Sequence, residues 1–162
     1  MKIKAGFFFF ISLIIFSCNN PAPGKKNSFL HDVVDSLALD KTKNILIYTI
    51  NPNDCINCLN NFVSINKVLM QTNNPKLYVI PVEREIEKKD LMNSVTTINL
   101  KDSINNHILW DVGIFDKISK LKNINISSSM LTIYSYSLDS VLFNKRIRDI
   151  DDVSELETYT GK

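Results

Sequence analysis

The sequence has 162 residues, a length that suits one domain of ordinary size behind an N-terminal segment. It carries 19 basic and 17 acidic side chains, and loss of Lys2 and Lys4 with the N-terminal segment would leave 17 of each sign. A domain with balanced charge has no basic field that attracts nucleic acid, so we expect no nucleic-acid partner.

Residues 1–17 have the pattern of a secretory signal peptide. A basic start precedes residues 5–16, an almost unbroken apolar stretch that is too short to cross a bilayer as a helix, for which about 20 residues are needed. Residues 15–18 (Ile-Phe-Ser-Cys) resemble the lipobox of bacterial lipoproteins. The resemblance implies cleavage before Cys18, lipid attachment to its sulfur, and an anchor on the periplasmic or cell-surface side of a bacterial membrane. An ordinary signal peptide with a chance cysteine, or an uncleaved anchor, is the alternative.

Residues 18–27 are predicted to be a flexible tether. They are polar, contain proline and glycine, and show no apolar periodicity. Residues 28–162 are then left as a single folded domain.

The domain begins with a predicted helix followed by a predicted strand. Phe29–Leu39 carries apolar residues at helical spacing. Asn44–Ile50 is a compact apolar, β-branched and aromatic run, which is typical of a buried strand. Asn51–Asp54 is predicted to form a turn, from which Asp54 could cap the next helix.

Alternation of helices and strands continues along the rest of the chain. The predicted segments are a helix through Phe62, Ile65, Leu69 and Met70, a strand over 76–82, a charged helix over 84–92, a minor strand over 95–100, and a helix over 108–121. Residues 130–136 and 141–147 flank a Ser-Leu-Asp-Ser turn and predict an antiparallel hairpin, after which residues 151–159 predict a last short helix. This order predicts an α/β fold with a central mixed β-sheet flanked by helices on both faces.

The sharpest motif is Cys-Ile-Asn-Cys at residues 55–58, placed where the first strand passes into a helix. With the order of elements, it resembles the thioredoxin-like fold, and in particular the membrane-anchored thiol-disulfide oxidoreductases and related redoxin-type lipoproteins. The resemblance implies that Cys55 is the exposed nucleophile at a helix N-terminus and that Cys58 is the resolving thiol. It implies no cofactor beyond the two sulfurs, and as partners protein thiols or disulfides together with a membrane redox partner.

Two departures from the thioredoxin-like pattern surround this motif. Asp54 stands where the family usually has an aromatic residue, and a carboxylate beside Cys55 would raise the pKa of the thiol. Residues 127–132 (Ser-Ser-Ser-Met-Leu-Thr) lack the cis-proline that usually opens the facing strand and helps to hold an extended substrate segment. Because a non-proline cis bond costs about 2.5–4 kcal/mol, we expect a trans bond between Ser129 and Met130.

The cysteine pair has other readings. A zinc site would need further ligands, for which the sequence offers only His31 and His107 besides carboxylates. The pair could also be a permanent disulfide of an extracytoplasmic domain. The chain would then be a non-catalytic lipoprotein that uses the fold as a binding or structural module.

Five further residues are assigned to ordinary structural positions. His107 could serve the dithiol as a proton shuttle, but a surface or cap position near the start of a helix is the simpler prediction. Trp110 and Phe115 are predicted to pack in the core. Arg146 and Arg148 are predicted to lie on the solvent side of an edge strand.

Overall fold

The computed structural model describes residues 28–54, 56–82, 84, 87, 106–121 and 128–161. The elements in chain order are α1 (Ser28–Asp35), β1 (Ile45–Thr49), α2 (Ile56–Leu69), β2 (Lys76–Ile80), β3 (Asn106–Trp110), α3 (Val112–Ser119), β4 (Met130–Ser135), β5 (Ser140–Arg146), two 3₁₀-helices (Ile147–Asp149 and Val153–Leu156) and α4 (Glu157–Thr160). Within these ranges no helix has the length and apolar character that a membrane span requires. The predicted signal peptide and tether lie outside the described residues.

The five strands form one mixed sheet in the order β3-β2-β1-β4-β5. Strands β1, β2 and β3 are parallel, and β4 pairs antiparallel with both β1 and β5. The predicted α/β fold with a mixed sheet is therefore confirmed.

Alternate residues of β1 belong to two separate buried clusters, although all five residues of the strand are buried. Leu46 and Tyr48 lie in the cluster that contains the apolar side chains of α2. Ile45 and Ile47 lie in the cluster that contains apolar side chains of α1 and α3. This period of two is the pattern of a strand whose successive side chains point to opposite faces of a sheet.

Three aromatic rings attach α2 to the sheet. Tyr48 and Tyr78, neighbours on β1 and β2, stack with ring centroids 5.1 Å apart, and Phe62 of α2 meets the Tyr48 ring edge-on at 5.4 Å. The Tyr78 hydroxyl donates a hydrogen bond of 3.0 Å to Asn66 Oδ1 on the same helix. Aromatic pairs of this kind contribute about 0.5–1.5 kcal/mol beyond the area that they bury, so they help to fix the helix over the strands.

The prediction of a helix over residues 108–121 was wrong at its start. Ile108 and Trp110 belong to β3, where they pair with Tyr78 and Ile80 of β2. The helix begins only at Val112, because the Asp111 side chain accepts a hydrogen bond of 2.8 Å from the Ile114 N–H and caps α3. Trp110 is partly buried against the core.

Of the remaining structural predictions, some were confirmed, some were wrong, and some concern residues that the structure does not describe. The hairpin is confirmed, and its turn contains Asp139 at φ 44°. Phe115 is buried as predicted. Arg146 ends the edge strand β5, but Arg148 lies in the following 3₁₀-helix rather than in a strand, and both arginines contact Asp149. The closing helix is split into a 3₁₀ turn and the short α4. The helix predicted over 84–92 and the strand predicted over 95–100 fall almost entirely outside the described residues.

Candidate functional site

The turn between β1 and α2 is held by short-range hydrogen bonds. The Asn51 side-chain oxygen accepts from the Asn53 N–H at 2.9 Å, and the Asn51 carbonyl accepts from the Asp54 N–H at 3.1 Å. Asparagine often forms such turns, because its side chain reaches the backbone two residues on. Residues 51–54 therefore leave the sheet along a defined path.

The cysteine motif lies at this junction. Cys58 is the third residue of α2, while Cys55 directly precedes the helix and, like Cys18, lies outside the described residues. The N-terminal end of a helix presents unpaired N–H groups and the positive end of the helix dipole, both of which favour a thiolate. The predicted cap of α2 by Asp54 stays a prediction.

Ser129 lies directly before β4, opposite this turn, and is only 1% exposed. Its N–H donates to Asp54 Oδ2 at 2.7 Å, and its Oγ accepts from the Asn51 N–H at 3.0 Å. Its carbonyl accepts from the Ile147 N–H at 2.9 Å, just beyond β5. One serine thus joins the turn before α2 to the hairpin.

The two departures from the thioredoxin-like pattern are consequently in direct contact. Ser129 has a buried N–H, and a buried N–H without an acceptor costs about 1–3 kcal/mol. The Asp54 carboxylate supplies that acceptor. The Ser129–Met130 bond is trans as expected, as are all peptide bonds within the described ranges. Apart from the serine run itself, no sequence pattern indicated this contact.

His107 occupies a different place from the predicted one. It lies in β3 rather than at a helix start, and it is in register with Leu77 of β2, which is in register with Ile47 of β1. Directly paired residues point to the same face, so His107 faces the cluster of α1 and α3 and not that of α2. Its Nε2 is buried without a hydrogen-bond partner among the described residues. This placement argues against a proton shuttle for the dithiol.

A separate polar cavity of about 510 Å³ lies at the other end of the strands, where β1 and β2 begin. It is lined by Thr42, Lys43, Asn44, Gln71, Thr72, Asn73, Asn74, Tyr159, Thr160 and Gly161. The buried Lys76 ammonium donates to the carbonyls of two residues that line this cavity, Thr72 at 3.2 Å and Asn74 at 2.9 Å. Burial lowers the pKa of Lys76 to about 8. No sequence pattern indicated that this lysine is buried.

Metal ligands do not cluster in the part of the chain that the structure describes: no group of three or more His, Cys, Asp or Glu residues is placed there to hold an ion. The side chain of the first cysteine falls outside that part, so the zinc alternative stays open. Comparison of the chain with protein-family models, with curated proteins and with solved structures gave no match.

Proposed function

We propose that the chain is a lipid-anchored, extracytoplasmic thiol-disulfide oxidoreductase with a thioredoxin-like fold. The observation that carries the proposal is the position of the Cys-x-x-Cys motif, which begins immediately before α2 and places Cys58 in the first turn of that helix. A dithiol at a helix N-terminus that follows a buried parallel strand is suited to disulfide exchange.

The fold supports this proposal in two ways. Three parallel strands are followed by an antiparallel hairpin, whose strand β4 pairs with β1. The N-terminal end of β4 therefore faces the turn that precedes the motif. Side chains of α2 lie in one buried cluster and those of α1 and α3 in the other, as expected for a sheet with helices on both faces.

The proposed reaction uses only the two sulfurs. The Cys55 thiolate attacks one sulfur of a partner disulfide, forms a mixed disulfide and releases the first partner thiolate. The Cys58 thiolate then attacks the Cys55 sulfur and releases the second partner thiolate. The partner disulfide is reduced and the Cys55–Cys58 pair is oxidised; the reverse sequence oxidises a partner dithiol. Protein thiols are the proposed substrates, and a membrane redox partner restores the starting state.

The test is a redox titration of the full chain in detergent, equilibrated with glutathione buffers and labelled with a thiol-specific mass tag. Reversible closure of two thiols between about −120 and −270 mV would match known exchange proteins. A disulfide that resists reduction to below about −300 mV would point instead to a structural disulfide in a non-catalytic module. Cys58→Ser is the matched variant, because it should accumulate the mixed disulfide on Cys55.

The proposed anchor is tested separately. Cells that express the chain are labelled with radioactive palmitate, and the label should follow the wild-type chain into the membrane fraction. Cys18→Ala should abolish the labelling, whereas Cys58→Ser should not affect it. Labelling that persists in Cys18→Ala would contradict lipid attachment at this residue.

A further inference from the structure

We propose that Asp54 is a positioning residue that sets substrate specificity. By accepting a hydrogen bond from the Ser129 N–H, it prevents partners that bind as an extended strand from pairing at the N-terminal end of β4. The inference rests on the proposed function. The dithiol then reacts only with disulfides whose flanking chain does not pair as a strand beside Ser129.

The hydrogen bonds of Ser129 carry the inference. A backbone N–H at the end of a strand is the natural pairing point for an added chain, which is the way that many proteins bind extended peptides. Here the N–H is bound to Asp54, and the carbonyl and hydroxyl of Ser129 are bound to the N–H groups of Ile147 and Asn51. Ser128 and Ser129 are 6% and 1% exposed, so this segment offers no open edge.

The remainder of β4 is equally closed. Met130 is in register with Thr49 on one side and with Arg146 on the other, so β4 lies between two strands. Among the described residues beside the N-terminus of α2, a partner chain could therefore pair with the Ser129 N–H only after displacing the Asp54 carboxylate. That bond, of 2.7 Å, has an ionisable acceptor, and such bonds are about twice as strong as neutral ones.

The experiment compares two substrates on the full chain in detergent. One is hydroxyethyl disulfide, which is small and neutral. The other is the mixed disulfide of 2-mercaptoethanol with a neutral, extended peptide that contains one cysteine. The chain is reduced beforehand, and the measured quantity is the ratio of its second-order rate constant with the peptide to that with the small disulfide, because a change in the reactivity of the Cys55 thiol affects both rates and cancels in the ratio.

Two variants separate the hydrogen bond from the charge. Asp54→Ala frees the Ser129 N–H and should raise the ratio about tenfold, which corresponds to about 1.4 kcal/mol. Asp54→Asn keeps an oxygen acceptor but removes the charge, so that about half of the bond energy remains and the ratio should rise only about threefold.

Each contrary outcome has a distinct meaning. An unchanged ratio in Asp54→Ala, or an equal rise in Asp54→Asn, would overturn the role of the bond. A wild-type chain that reacts with the peptide as fast as with the small disulfide would overturn the inference and leave the proposed function standing, even if the variants fail to fold. A wild-type chain that reacts with neither would overturn the proposed function itself.

Discussion

Two stacked tyrosines allow one chemical change to be tested with opposite expected signs. The Tyr48 hydroxyl is fully buried and has no hydrogen-bond partner among the described residues. The Tyr78 hydroxyl, on the next strand, donates to Asn66 Oδ1 at 3.0 Å. We expect Tyr48→Phe to stabilise the protein and Tyr78→Phe to destabilise it, because the first removes an unsatisfied polar group and the second breaks a buried hydrogen bond.

The magnitudes follow from the cost of burying polar groups. An unsatisfied buried hydroxyl costs about 1–3 kcal/mol, so Tyr48→Phe should raise the free energy of unfolding by about 1–2 kcal/mol. Tyr78→Phe should lower it by about 1 kcal/mol, and by more if Asn66, itself 4% exposed, is left without another donor. Both variants keep the ring and hence the stacking.

The pH dependence gives a second measure of the same burial. Burial raises the pKa of Tyr48 well above its ordinary value of 10. A raised folded-state pKa stabilises the protein below the pKa of the unfolded chain, and that stability is lost as pH rises above about 10. Tyr48→Phe should therefore reduce the loss of stability above pH about 10 by up to about 1.4 kcal/mol per pH unit.

Urea unfolding followed by circular dichroism measures all of these changes. With a slope of about 2 kcal/mol per molar urea, 1 kcal/mol moves the midpoint by about 0.5 M. The slopes of wild type and variants must agree for the comparison to hold. A lower midpoint for Tyr48→Phe than for wild type would show that its hydroxyl has a partner, and the reasoning would fail.

Three further expectations concern other parts of the fold. The free energy of unfolding should rise from pH about 8 to pH about 10, by at most about 1.4 kcal/mol per pH unit. The reason is that Lys76 loses its proton at a lower pH in the folded protein than in the unfolded chain. Lys76→Met should abolish this rise in urea titrations. Asp111→Ala should cost about 1 kcal/mol through loss of the α3 cap, whereas Asp111→Asn should cost little, as measured by the urea midpoint. Thr132→Val should raise the melting temperature, since the Thr132 hydroxyl is buried without a partner among the described residues, while Thr132→Ser should lower it; a fall for valine would contradict the first point.

Much of the sheet could be predicted from local pattern. The β1 run was predicted over residues 44–50 and is observed over Ile45–Thr49, because an apolar, β-branched run next to an asparagine turn has few other conformations. The start of α3 was misplaced for a related reason. Ile108 fits a helical period with Val112, but it also fits a period of two with Trp110, and only the capping Asp111 separates the two elements.

The surroundings of the candidate site could not be predicted in the same way. The motif position follows from adjacent segments, but Asp54 and Ser129 are 75 residues apart and meet only because β4 returns beside β1. A pattern of neighbouring residues cannot indicate a contact between residues so far apart in the sequence. Lys76 was missed because a lysine at the start of a strand is ordinarily exposed, and here nearby carbonyls satisfy its ammonium group.

The contact between Asp54 and Ser129 predicts that the two residues are energetically coupled. Asp54→Ala alone leaves the buried Ser129 N–H without this acceptor, and Ser129→Pro alone leaves the carboxylate without this donor. The double variant lacks both the donor and the acceptor of this bond, so its loss of stability should be smaller than the sum of the single losses by about 1–3 kcal/mol. The three variants and wild type are compared by urea unfolding at one pH. Additive losses would mean that the bond does not couple the two residues. The bond to Asp54 would then not explain why extended partners fail to pair at the N-terminal end of β4.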